Sequence, residues 1–223
     1  MTTSSSRFSE LYSAYAAGCL DPAFALMVET QCMIRQDMRE SIVLSEMISG
    51  SFLESTEPAV ISEHAISRVM AAIDAMDAPV ETNVKAGKAA GLAINELLAL
   101  PEPLRATALD AAGKRGWQTM GLGLKRLPLD FDTSMDVELY RIAPGSKIPR
   151  HSHGGTEYTL VVSGGFRDEH GGYGPGDVAV IDGDTVHQPV ADEDEVCLAL
   201  VIRDGGLRFT GAFGLIQKLL GAR

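Results

Sequence analysis

Cysteine is scarce in this chain of 223 residues, and the three that occur, Cys19, Cys32 and Cys197, are odd in number and far apart. That pattern leaves no disulfide framework and no CxxC redox pair, and a reducing compartment is expected. Long apolar runs are missing as well. No stretch approaches the roughly 18 apolar residues that a membrane-spanning helix needs, and the opening MTTSSSRFSE holds no signal-peptide core. A soluble, cytoplasmic protein without membrane contact is expected. Positive charge is also in deficit: 19 Lys and Arg against 30 Asp and Glu give a net charge of -11. Phosphate binding calls for clustered basic side chains, so nucleic acid is excluded as a direct partner, whereas an acidic surface attracts a basic protein. No internal repeat, charge block or low-complexity tract is evident.

What is present begins as helix. FSELYSAYAA over 8–17 predicts a short helix ending at Gly18, a residue suited to a helix C-terminus. Asp21 and Pro22 start the next element. From there to Ile48 the residues Phe24, Met27, Val28, Cys32, Ile34, Met38, Ile42 and Met47 recur at mostly helical intervals, which predicts one long amphipathic helix or a bent pair. GSFLESTEPAVI, with Pro58, reads as a connection. Ser62 is the expected cap of a further helix, SEHAISRVMAAIDAM, where Ile66, Val69, Met70 and Ile73 form an apolar stripe. The stripe is either core or a surface offered to a partner. His64, at the start of this helix, has no second ligand near it and reads as a surface residue.

Residues 77–91 lose the periodicity and gain Ala, Gly and Lys, the composition of a linker. INELLALPEPLRATALDAAGKRG holds a short helix broken by Pro101 and Pro103. Short strand-like segments then follow from Trp117 to VCLALVIR, separated by turn residues, and predict a sandwich or barrel. GAFGLIQKLL reads as a closing helix. The expected architecture is α+β: a small helical domain over 1–76, a linker over 77–103 and a β-barrel domain over 104–223.

The chemistry concentrates between Gly145 and His187. His151 and His153 stand at i and i+2, so on a strand both imidazoles point the same way. Gly154 and Gly155 make a turn or bulge, and Glu157 opens the next strand beside the pair. Pro175-Gly176-Asp177 is another turn, DVAVI a buried strand, and His187 follows a third turn. The chain has only five histidines, and four of them, these three and His170, fall within the 37 residues from His151 to His187. Three imidazoles and a carboxylate suit a borderline divalent ion: zinc first, with nickel, iron or manganese as alternatives, rather than calcium or magnesium.

Gly145, His151, His153, Glu157 and Gly164 match the first cupin motif, with five residues between the glycine and the His-x-His pair, and Gly176 and His187 match the second. In the second motif Asp182 and Asp184 replace the usual proline and glycine, so the turn before His187 is irregular. LYSAYAAG, SGSFLE, the RIAPGSKIPRHSHGGTEYTLVVSGGFRDE segment and LRF near the end resemble ChrR-type anti-sigma factors, in which a helical anti-sigma domain precedes a cupin. The resemblance implies that the helical domain binds an extracytoplasmic-function sigma factor and releases it in response to singlet oxygen or organic peroxide. It also implies a zinc site in that domain, built by a histidine near the N-terminus and a His-x3-Cys-x2-Cys motif. The matching positions are Ser6 or Arg7, then Gln31, Arg35 and Met38, and an amide, a guanidinium and a thioether build no tetrahedral zinc cage. Either the helical domain holds through its apolar core without metal, which is the favoured expectation, or sigma binding has been altered.

Two functional classes stand side by side. One is a cytoplasmic anti-sigma regulator with a metal-bearing cupin. The other is a metal-dependent, dioxygenase-like cupin enzyme whose helical extension serves homo-oligomerisation. By strand parity, Pro149, Thr159, Val161 and Pro189 share the ligand face and supply no strong general acid or base, while Tyr158 and Arg150 fall on the other face, which favours the regulator.

Overall fold

The computed structural model describes residues 3–76, 90–121, 123–205 and 207–209. Four helices come first: α1 (Thr3–Ala16), α2 (Pro22–Ile34), α3 (Gln36–Glu54) and α4 (Ala65–Met76). The start of α2 is encoded locally, with Pro22 in its first turn and the Asp21 carboxylate accepting from Ala23 N at 2.9 Å. Between α2 and α3 the backbone of Arg35 is extended, at φ -117° and ψ 110°, so the long periodic stretch is the bent pair.

Three helix boundaries differ from expectation, the first being that α1 begins at Thr3 rather than at Phe8. The connection expected from Gly50 begins only after Glu54. A mid-helix glycine costs about 1 kcal/mol relative to alanine, which Phe52, Leu53 and Glu54 beyond it tolerate, and the helix ends well before Pro58. The last of these helices starts at Ala65, and Ser62 does not cap it: its hydroxyl accepts from Arg68 Nη2 at 3.1 Å.

Two further helices, α5 (Ala90–Leu98) and α6 (Leu104–Lys114), precede the strands. Thus α5 lies inside the span expected as linker, and it is tied down: Glu96 pairs with Arg141 at 2.6 Å, and Leu97 and Leu100 are buried. Residues 77–89 and the expected closing helix at 211–220 lie outside the described residues. No helix among the described residues is long and apolar enough to cross a membrane.

Among the described residues eleven strands follow: β1 (Gln118–Gly121), β2 (Leu124–Pro128), β3 (Asp136–Ile142), β4 (His151–His153), β5 (Glu157–Ser163), β6 (Phe166–Asp168), β7 (Gly171–Tyr173), β8 (Val178–Ile181), β9 (Val190–Ala191), β10 (Cys197–Arg203) and β11 (Leu207–Phe209). The larger sheet runs β1-β2-β3-β10-β5-β8, all antiparallel. The facing layer comprises β11-β4 and β7-β6-β9, joined by isolated bridges at His151–His187 and Lys147–Val190.

Strand β10 explains how the layers are stacked. All seven of its residues are buried, because both of its faces are covered. Leu198, Leu200 and Ile202 point to an outer core that they share with Leu139, Leu160 and the helices. Cys197, Ala199 and Val201 alternate with them into the barrel interior, alongside Tyr140, Val161 and Phe166.

The outer core is where helix and barrel meet. Ala23, Phe24, Leu26 and Met27 of α2 are buried in it, and the Phe24 ring meets Tyr158 of β5 edge-on with centroids 4.8 Å apart. Each fully buried large apolar side chain contributes about 1.5–3 kcal/mol. Polar contacts fix the seat: Gln31 Nε2 donates to Gly176 O at 2.8 Å, Arg35 Nη1 to Asp177 at 3.1 Å, and Thr133 Oγ1 to Asp21 at 2.9 Å. The helical segment is therefore docked on the barrel rather than hung from it.

Candidate metal centre

The centre is assembled by strand geometry. His151 and His187 exchange backbone hydrogen bonds, N to O at 3.1 and 3.0 Å, so they are a directly opposed antiparallel pair. His153 lies two residues on along β4, on the same face, and the three rings converge. His153 Nε2 is 3.0 Å from His187 Nε2, which is 3.2 Å from His151 Nε2. Two nitrogens held at about 2.0–2.1 Å by one tetrahedral zinc ion are roughly 3.3 Å apart. The turn that delivers His187 replaces the missing proline and glycine with an Asp-centred turn: Asp182 Oδ1 accepts from Thr185 N at 3.0 Å and from its hydroxyl at 2.6 Å. Gly164, at φ +67°, closes the turn between β5 and β6, where a Cβ would stand 2.4 Å from Val196 O.

The outer nitrogens fix the tautomers. His151 Nδ1 lies 2.8 Å from Pro149 O, and His187 Nδ1 lies 3.0 Å from Asp168 Oδ2. A carbonyl and a carboxylate only accept, so both Nδ1 atoms donate, and Nε2 is the atom that each ring turns toward the other two. Burial, reinforced by neighbouring imidazoles, lowers the pKa of His151 to about 4 and that of His153 to about 3. Lone pairs facing one another at this distance repel unless a cation sits among them. The donor set thus fits a divalent metal ion.

Among the described residues, the group whose ligand atoms lie within 4.8 Å of one another consists of His151, His153 and His187, all buried. Glu157 stands beside it rather than within it. Its Oε2 is 3.5 Å from His153 Nδ1 and 4.0 Å from Arg203 Nη1, and its Oε1 accepts from Thr159 Oγ1 at 3.1 Å. Burial raises the pKa of this carboxyl, and Arg203 opposes that shift.

Sequence reading missed two charged groups. Asp168 follows closely after Gly164, and burial opposes its ionisation, yet the hydrogen bonds from His187 and His170 N hold its carboxyl below the usual range. Arg203 is opposite Glu157 in the β5–β10 register, and it also bonds Glu138 and the Tyr140 hydroxyl. Of the residues assigned by parity, Pro149, Thr159 and Pro189 do line the interior, Tyr158 packs outward on Phe24, and Arg150 pairs with Glu169 at 3.0 Å. His64 is exposed, as expected.

Comparison with known proteins agrees with this architecture. The family model described as the ChrR cupin-like domain matches residues 106–204. The anti-sigma-E factor ChrR of Cereibacter sphaeroides is 34% identical over 203 residues, 89% of each chain. The chain belongs to the ChrR family of anti-sigma factors. A solved structure, Rhodobacter sphaeroides SigE in complex with the anti-sigma ChrR, matches with a TM-score of 0.65 and 30% identity, covering 88% of this chain and 96% of that one. This ChrR-family chain therefore sits among regulators rather than enzymes, and carries a cupin-like barrel with a buried three-histidine group able to hold a metal ion.

Proposed function

We propose that the chain is a cytoplasmic anti-sigma factor that binds an extracytoplasmic-function sigma factor through residues 1–76 and holds it inactive. The observation that carries this reading is the apolar face left open on α3 and α4. Leu44, Met47, Ile48, Phe52 and Leu53 on α3, and Ile66, Val69, Met70 and Ile73 on α4, are all exposed, the least of them by 46%. No described side chain of α4 is buried. Soluble domains do not leave so many large apolar groups in water unless a partner covers them. The two readings of the α4 stripe thus separate in favour of the partner surface. An amphipathic helix pair presenting such anchors suits the apolar groove of a helical protein. The net charge of -11 adds attraction for a basic partner.

In the barrel, His151, His153 and His187 hold one zinc ion, with Glu157 as the fourth ligand or, from where it stands, as the acceptor that orients His153. A bound ion supplies the positive charge on which the three lone pairs converge. Asp168 and Pro149 O keep two of the rings in register. Singlet oxygen or organic peroxide acts on this domain, and its altered state lowers the hold on the sigma factor. The docked face of α2 supports such a path, since Phe24 touches β5, the strand that carries Glu157, and Gln31 and Arg35 touch the turn before β8. The test is co-expression with a sigma factor from the same genome. A stable complex that blocks transcription is expected, and recovery of the chain alone would overturn the reading.

A further inference from the structure

The interior of the barrel is more than a housing for three histidines. On the outer face of the large sheet the inward layer of the helices meets leucine and isoleucine, whereas the interior face carries Ala179 and Ala199 at comparable positions. Small residues there leave a cavity of about 210 Å³. Tyr140, Ile142, Ile148, Phe166, Ala199 and Val201 form its apolar wall. Its polar groups gather at the histidine centre, where His151, His187, Glu157 and Thr159 line it, and Lys147 is exposed on its lining.

We propose that this cavity binds a small apolar monoanion, a carboxylate on a short aliphatic or single-ring body, with its charged oxygen at the histidine centre and its body against Phe166, Ala199 and Val201. Size sets the first limit. An apolar cavity of about 150 Å³ takes up benzene, so this one accommodates a ring plus a few further atoms. Charge sets the second. Arg203 lies against Glu157 and Glu138, and Arg126 pairs with Glu138 at 3.0 Å, so the carboxylates behind the centre are already partnered. A divalent ion then keeps positive charge facing the cavity, with Lys147 beside it. An anionic oxygen satisfies both, and the alanine-lined wall excludes water from the body.

The proposal rests on the metal reading given above, and the experiment separates the two. Zinc content is measured first, and then binding of benzoate, benzyl alcohol and the n-alkanoates from acetate to decanoate is followed by calorimetry on the full chain. Affinity is expected to rise with chain length and then fall once the cavity is full. Benzoate should bind at least about tenfold more tightly than benzyl alcohol. Ala199→Leu should keep its zinc and its melting temperature while weakening benzoate about tenfold or more and moving the optimum to shorter acids. Ala179→Val, a smaller filling, should do the same to a lesser degree, and it carries the test if Ala199→Leu does not fold. A chain that binds no metal overturns the metal reading and this proposal together. A zinc-loaded chain with no length optimum, with equal affinity for benzoate and benzyl alcohol, or with both fillings silent overturns this proposal alone.

Discussion

The barrel centre and the junction of α1, α2 and α3 each gather side chains around a point, but different chemistry closes them. In the barrel His151 and His187 each give the Nδ1 proton to an outside acceptor and turn Nε2 toward one another at 3.2 Å, with His153 Nε2 3.0 Å from His187 Nε2. At the helical junction donors and acceptors match. The Tyr12 hydroxyl lies 2.7 Å from Gln31 Oε1 and 3.1 Å from Met38 Sδ, while Gln31 Nε2 donates to Gly176 O. Burial pushes the Tyr12 phenol up to about 12, so it stays a donor. The ChrR resemblance places a zinc ion at Gln31, Arg35 and Met38, yet Gln31 and Met38 both meet the Tyr12 hydroxyl, Arg35 pairs with Asp37, and Gln31 and Arg35 reach the barrel at Gly176 and Asp177. A metal site is recognised by unmatched acceptors, and a position inherited from a family does not supply them.

The largest expected effect comes from the side of this comparison that needs a cation. His151→Ala/His153→Ala should drop zinc from one equivalent per chain to none. At a zinc concentration about a thousandfold above the dissociation constant, the lost binding corresponds to about 4 kcal/mol of stability. Elemental analysis and thermal unfolding with and without chelator check this, and unchanged metal content would sink the assignment. Chelator should leave the Tyr12–Gln31–Met38 junction intact, read as unchanged near-ultraviolet tyrosine signal from the helical part.

The open apolar face comes next. Phe52→Glu and Leu53→Glu place charge where a partner would desolvate it, so sigma affinity should fall about a hundredfold or more, close to 3 kcal/mol. Both side chains are exposed, by 69% and 75%, so the melting temperature should scarcely move. Loss of stability instead of affinity would mean that the face is covered within the chain.

Gln31→Leu attacks the other side of the comparison. Gln31 is buried and serves two partners, so its loss takes the amide acceptor from the Tyr12 hydroxyl, leaving the weaker Met38 Sδ, and the donor from Gly176 O, at a cost of about 1–3 kcal/mol. The decrement should be the same with and without zinc. A decrement that vanished on chelation would tie the junction to metal after all.

Much of the barrel was legible because its signals are local or have a fixed period. His-x-His on a strand, Glu157 after a glycine turn and the apolar run of β10 each declare their geometry without knowledge of the partner strand. Arg203 behind Glu157 was not legible, since only the β5–β10 register brings Arg203 opposite Glu157. The docking of α2 escaped for a related reason: Phe24, Met27 and Val28 read alike whether α3 or a sheet covers them. The α4 stripe could be seen, but its exposure depends on what fails to pack on it. Gly50 misplaced a boundary because a single glycine weakens a helix without ending it.

The smallest effect belongs to Arg35, and its sign structure is informative. Its guanidinium pairs with Asp37 at 2.7 Å and with Asp177 at 3.1 Å, in contact with solvent, so salt screens both pairs. Its aliphatic stem matters independently of charge. Gly176 sits at φ +84°, and a Cβ there would stand 2.3 Å from Arg35 Cγ, so the stem lies directly on the turn whose carbonyl Gln31 uses. Arg35→Lys should therefore keep most of the packing and lose the two-armed pairing. Arg35→Ala should lose both, with a fall in melting temperature smaller than that of Gln31→Leu. High salt should erase the difference between wild type and Arg35→Lys but leave the deficit of Arg35→Ala. Equal salt sensitivity of the two variants would show that charge alone holds α2 at this end of the barrel.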